Sequence, residues 1–423
     1  MSTSEHFENK QAMGRRKKAF LVFILILSIM ISAIFYYTYI IYSPINSTEI
    51  PMIKISSKDD INTNDYVNCT FELESDDELD NLSPLDSKIK LRGRLNAELP
   101  KKGYRIELSE EKSLLGMRKD DDWILFAMYR DLTNMRIKLS FDLWRSLELS
   151  NPLAILPDTK YVILFLNGEF QGLYLLAEKN DRRLYNLDDA QNNYNSSLIF
   201  QSDSHKRSFE DHSNKGWDQD WPNEYEGFYI KDDIFSKLIP FIRDTSYNEF
   251  IDATEGIYSI FDKLNLIDFL IFNYFILHKD FWSHNYYLVR NSSPSKFILI
   301  PWDFDVSFGQ SLNEKYSSSE NLESEIRSRN FLYRRLMFNK DFMREVKERW
   351  LFLRESLWTK DSILDMLLDI YEKIKNISEI DVNMWYPWYF DMEWELKIDE
   401  AVEKLFEWIP KRLEFCDSYF LKF

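Results

Sequence analysis

Residues 264–277 (LNLIDFLIFNYFIL) are apolar nearly all the way round a helix. A surface helix carries one apolar stripe, whereas a helix apolar on every side must be buried on every side. The chain therefore has to enclose a central helix. It has the material to do so: 423 residues, 45% hydrophobic and 16% aromatic. That composition excludes a largely disordered chain. A net charge of −17 opposes a general nucleic-acid binder, which needs the opposite sign. Two distant cysteines, Cys69 and Cys416, offer no disulfide framework, and five histidines make a poor multi-histidine metal centre.

Upstream of this helix the pattern is that of strands. Met52–Ile55, Tyr66–Leu73, Ile89–Leu91 and Tyr104–Leu108 alternate apolar and polar residues. Asp131 reads as the N-cap of a helix over Leu132–Leu149. The apolar runs Lys160–Leu166 and Phe170–Ala177 flank Asn167-Gly168, the strongest hairpin signal in the chain. Residues 186–233 read as an irregular loop or insertion. Two short strands, Tyr286–Val289 and Phe297–Ile300, follow the central helix, and the remainder reads as helical.

At the N-terminus, Ala19–Tyr42 carries no charge over 24 residues, enough for a helix to cross a bilayer. Residues 1–18 hold Lys10, Arg15, Arg16, Lys17 and Lys18 against Glu5 and Glu8. The positive-inside rule then predicts a single-pass membrane protein. Its basic tail (1–18) lies in the cytoplasm, its anchor is 19–42, and the rest stands on the exported side.

Polar residues suited to chemistry concentrate in 278–309. His278-Lys279-Asp280 ends the apolar helix, Asn285 precedes one strand, and Pro301-Trp302-Asp303-Phe304-Asp305 ends the next. A hairpin of those strands sets Asn285 beside Asp303, with Asp280 in the loop above. Phosphoryl transfer uses such a group: one carboxylate accepts the hydroxyl proton, while a second carboxylate and an amide oxygen hold Mg²⁺. The spacing also fits the kinase catalytic loop H-R-D-x₄-N, with Lys for Arg. For a phosphate cation the candidates are the neighbours Lys101 and Lys102, with Lys102 preferred. No G-x-G-x-x-G loop is present.

Six segments, in order, carry a resemblance. They are Ile89–Gly93; Lys101–Ile106; Asp131 with Arg136; Asn167-Gly168 with Gly172–Glu178; Asp280 with His284–Leu288; and Ile300–Asp305 with Phe308-Gly309. Together they resemble the CotH family of atypical protein kinases, first known from bacterial spore coats. The resemblance implies an α+β, two-lobed kinase-like fold. Its antiparallel-sheet N-lobe would span 43–180 and its mostly helical C-lobe 181–423. It further implies ATP, Mg²⁺ or Mn²⁺, and transfer of the γ-phosphate to Ser or Thr of a protein substrate, to which the acidic chain adds a preference for a basic one. Asp280 would be the catalytic base, and Asn285, Asp303 and Asp305 the metal ligands. Lys102, Arg105, Glu178 and Trp302 would serve the nucleotide. Two other readings stand beside it: an inactive kinase-fold surface protein acting in adhesion or ligand binding, and a metal-dependent hydrolase using Asp303, Asp305 and His278.

Overall fold

Inward and outward side chains alternate along seven strands that close on themselves. They are β1 (Met52–Ser57), β2 (Val67–Glu74), β3 (Leu82–Leu91), β4 (Tyr104–Ser113), β5 (Lys119–Phe126), β6 (Thr159–Leu166) and β7 (Glu169–Glu178). The barrel order is β1-β2-β3-β4-β5-β7-β6. The computed structural model describes residues 49–93, 98–203, 208–210, 216–279, 282, 284–310, 316–385 and 398–423, together with Met30. Ile50–Phe423 form one unit.

The expected antiparallel sheet is corrected in one respect. β1 runs parallel to β6, from Met52↔Ile163 to Ile55↔Leu166, and this pairing closes the barrel. Closure removes the exposed strand edges that an open sheet would present. Phe71, Leu73, Ile106, Trp123, Leu164 and Leu176 fill the interior. The β6–β7 turn has Asn167 at φ 52° and Gly168 at φ 82°, the two positive values that a two-residue I′ turn requires.

The embedded helix, α1 (Arg136–Ser146), starts later than the expected Leu132. The Asp131 carboxylate accepts from the backbone N–H groups of Thr133 (3.0 Å) and Arg136 (2.8 Å), and Asn134 sits at φ 55°. The chain turns once before the helix begins. Residues 186–233 are also not irregular throughout. They contain β8 (Leu198–Asp203) and β9 (Trp217–Trp221), which join β10 (His284–Arg290) and β11 (Ile298–Pro301) in a second sheet of order β11-β10-β8-β9. Leu198, Ile199 and Phe200 are fully buried there, and Trp217 stacks on Phe235 at 4.9 Å.

The central helix is α2 (Lys263–Phe275), with every residue from Asn265 to Phe275 buried. Its three polar members in that run have partners, which the cost of burying an unpaired polar group demands. Asn265 Nδ2 donates to Leu299 O (3.0 Å), and Leu299 N donates back to Asn265 Oδ1 (2.7 Å). Asn273 Nδ2 donates to Phe269 O at 2.8 Å. Asp268 receives Arg349 of α3 (Lys340–Glu355) at 2.7 and 3.0 Å and Asn151 Nδ2 at 2.8 Å. Two long helices, α4 (Lys360–Trp385) and α5 (Ile398–Phe420), complete the unit.

The expected anchor, 19–42, lies outside the described residues apart from Met30. Among the described residues no helix is long and apolar enough to cross a membrane, so the single-pass membrane location expected above is not carried forward.

Gly172 ties the barrel to α4. It sits in β7 at φ +102°, and a Cβ there would overlap Asp381 Oδ1 on α4. Gly168, at φ +82°, has open space around it. Gly168→Ala should therefore cost only the left-handed backbone term, about 1–2 kcal/mol. Gly172→Ala adds overpacking and should cost about 2–5 kcal/mol. Urea denaturation of both variants measures the difference, and equal losses would count against a close β7–α4 seam.

Candidate functional site

The end of α2 is built to hold the segment that follows β11. Leu277 turns the chain at φ 53°, and His278 is fully buried. His278 Nδ1 lies 3.2 Å from Asn273 Oδ1, and its Nε2 lies 3.0 Å from the carbonyl of Asp303. Phe308 N donates to Ile276 O at 2.6 Å. The stretch Asp303–Asp305 is thus pinned to the end of α2 on both flanks. Both His278 ring nitrogens face protein partners, which speaks against the metal-ligand role of the hydrolase reading.

The hairpin does the rest. β10 and β11 pair with Tyr286↔Pro301, and Trp302 N donates to Asn285 O at 2.9 Å. Asn285 is therefore beside Trp302 and one residue from Asp303. Asn285 and Asp303 have φ 61° and 59°, a region that Asn and Asp enter more readily than most residues. Such backbone strain concentrates at functional sites.

Asp303 and Asp305 line a pocket with Arg92, Lys101, Phe126 and Arg130, of about 450 Å³ counting its open mouth. Arg92 follows the end of β3 and lies 3.8 Å from Asp303 Oδ1. Arg130 follows β5, with its Nη1 3.3 Å from Asp305 Oδ2. Sequence reasoning missed both arginines as site residues. The signals were there: Arg92 precedes Gly93 at a strand end, and Arg130 precedes Asp131 in a segment already singled out.

The other expected site residues are spread around this pocket. Trp302 is buried against Phe126 (5.9 Å) and Tyr287 (5.6 Å). Arg105 is exposed on the outer face of β4, paired in register with Lys90. Burial and the Asp220 charge push the Tyr287 hydroxyl above its usual range, and Arg105 and Arg92 both oppose this. Those two cations therefore act on one group of the second sheet. Glu178 is buried, and its carboxylate accepts from the backbone N–H groups of Arg118 (2.7 Å) and Asp158 (2.9 Å). That is a structural task at the end of β7. Asp280 lies outside the described residues. Its neighbour Lys279 pairs with Glu320 and Glu325, each at 2.8 Å.

Between the two adjacent lysines, it is Lys101 and not Lys102 that lines the pocket. The strand begins only at Tyr104, so neither lysine takes part in its alternation of faces. Lys101 is 1% exposed, and its ammonium donates to Asp381 Oδ1 (2.7 Å) and Leu173 O (2.6 Å). Asp381 also accepts from Leu173 N at 2.9 Å. Burial pulls the lysine down and pushes the aspartate up, and each is opposed by the other's charge.

One further acidic group, Asp120, Asp122 and Asp181, is close enough to hold a cation. Arg118 already pairs with Asp120 (2.6 Å) and Asp181 (3.2 Å), and Lys179 with Asp122 (2.8 Å). Arg183 joins all three carboxylates. The charge there is balanced by protein. In the pocket, Asp303 and Asp305 offer hard oxygen donors of the kind Mg²⁺ prefers.

Breaking a buried pair leaves one uncompensated charge, at a cost of about 3–5 kcal/mol. Lys101→Met should lose about that much, and Lys102→Met about 0.5 kcal/mol or less. Adding Asp381→Asn to Lys101→Met should return part of the loss. Thermal and urea melts of the three variants check this. A Lys102→Met loss equal to that of Lys101→Met would reverse the assignment.

Comparison with known proteins bears on the family of this chain. Residues 89–416 match the family model described as CotH kinase protein. The inner spore coat protein H of Bacillus subtilis (strain 168) is 26% identical over 314 residues, covering 71% of this chain and 80% of that protein. That relative is named for the inner spore coat. A crystal structure of a Helicobacter pylori proinflammatory kinase, CtkA, aligns over 79% of this chain and 95% of that one. Its identity is 12% and its TM-score 0.30, too low to establish a shared fold. The family match spans most of the chain and contains the hairpin, the pocket and both arginines: this chain belongs to the CotH kinase protein family.

Proposed function

We infer that this kinase-like protein transfers the γ-phosphate of ATP to Ser or Thr hydroxyls of a protein substrate. The observation that carries the reading is the pocket in which Asp303 and Asp305 meet Arg92, Arg130 and Lys101. Phosphoryl transfer asks little covalent chemistry of a protein and much positioning of charge. Asp303, Asp305 and Asn285 would hold a divalent cation, Mg²⁺ or Mn²⁺, which when bound neutralises the nucleotide phosphates. Lys101, Arg92 and Arg130 are the cations at hand for those phosphates, whereas Arg105 lies exposed on the outer face of β4; Trp302 packs against Phe126 at 5.9 Å. Asp280, following the rigid end of α2, accepts the proton of the acceptor hydroxyl. In this reading residues 43–180 form the N-lobe and 181–423 the C-lobe. The net charge of −17 favours a basic acceptor protein.

Two substitutions separate the roles. Asp303→Ala should abolish divalent-dependent ATP binding while the protein still folds, with only a modest fall in melting temperature, because its side chain is 28% exposed and its pairing with Arg92 is loose at 3.8 Å. Calorimetry with and without Mg²⁺ measures this, and unchanged affinity would refute the metal role. Asp280→Asn keeps size and some hydrogen bonding but cannot take the proton. ATP affinity should stay near wild type while transfer to a basic protein falls by about 10²–10⁴-fold. A variant that melts early yet transfers at the wild-type rate per folded molecule would show that the base is another residue.

A further inference from the structure

We propose that Arg92 and Arg130 form a two-armed phosphate clamp that also guards the cation site while no cation is bound. This rests on the reading above and adds to it the groups that grip the phosphates and the reason metal and nucleotide bind together. Each arginine faces one carboxylate: Arg92 with Asp303 at 3.8 Å and Arg130 with Asp305 at 3.3 Å. All four side chains are largely sheltered, at 12%, 28%, 15% and 13% exposure in that order. Two sheltered carboxylates so close in sequence would repel each other without these partners.

Both pairings are incomplete. The Arg92 contact exceeds hydrogen-bond length, and its guanidinium lies over the Phe126 ring at 4.3 Å, with a planar face to slide on. Arg130 Nε is buried and has no hydrogen-bond partner among the described residues. A buried guanidinium N–H without an acceptor is costly, and a phosphate oxygen is the acceptor that matches its forked donors. The backbones of both residues are fixed. Arg92 N donates to Gly103 O (2.9 Å), and Arg130 O accepts from Gln310 Nε2 (3.0 Å). Only the side chains need to turn.

The consequence is a linkage. A cation on Asp303 and Asp305 displaces both arginines and leaves two sheltered positive charges without partners. Phosphates without a cation must draw the arginines away and forfeit their pairings with Asp303 and Asp305. Either ligand alone is penalised, and the two together relieve both penalties.

The test compares wild type with Arg92→Gln/Arg130→Gln, and with the single variants Arg92→Lys and Arg130→Lys in case the double variant does not fold. Titrations use Mn²⁺ alone, followed by electron paramagnetic resonance, and ATP in saturating Mn²⁺, followed by calorimetry. In the glutamine variant Mn²⁺ alone should bind about tenfold more tightly, because its competitors are gone, while ATP binds at least about tenfold more weakly. The lysine variants should shift both affinities in the same directions by less. A purely structural role for the arginines would weaken both ligands together. Mn²⁺ affinity that falls or stays unchanged in the folded variants overturns the clamp and leaves the proposed function standing. Wild-type protein that binds neither Mn²⁺ nor ATP overturns both.

Discussion

The two-way hydrogen bond between the Asn265 side chain and the Leu299 backbone anchors the site. It locks β11 against a helix whose packing surface is mostly apolar and, without directional contacts, could slide or rotate against its neighbours at little cost. Apolar packing is non-directional, whereas a buried amide must meet its partners in one geometry or lose about 1–3 kcal/mol per orphaned group. One turn beyond Phe269, Asn273 orients His278, and His278 holds the Asp303 carbonyl. The polar exceptions in an apolar helix thereby set where β11 starts and where Asp303 ends.

A second constraint comes from the far end of the chain. Asp381 of α4 meets Lys101 and the Leu173 backbone of β7, and only a glycine at 172 leaves room for it. Residues 280 positions apart therefore meet in one buried pair, with β7 held against α4. The chain as a whole is strongly acidic, yet the pocket balances carboxylates against arginines pair by pair. Net charge governs which partners approach, whereas local pairing governs what can bind.

Local patterns survived folding well. Asn167-Gly168 formed its turn because two positive φ values are a property of those two residues and need no distant partner. The helix at 264–277 formed within two residues of its expected ends, since all-round apolarity admits few other placements. The pairing that puts Asn285 beside Asp303 followed from two strands with a short connection. β8 and β9 were hidden because each is short and set in polar sequence, and each is stabilised mainly by strands from elsewhere in the chain.

The sequence by itself determined the central helix, the hairpin with its Asn and Asp residues, and the membership legible in six ordered segments. These depend on side-chain periodicity and on conformations that single residues prefer. Tertiary structure decided the rest. It closed the barrel through the parallel β1–β6 pairing and sent Lys101 rather than Lys102 inward. It brought Arg92 and Arg130 onto the two carboxylates and gave Glu178 to backbone N–H groups. Each of these is a contact between segments distant in the chain, and its partner is chosen by burial and charge in three dimensions, which no local spacing encodes.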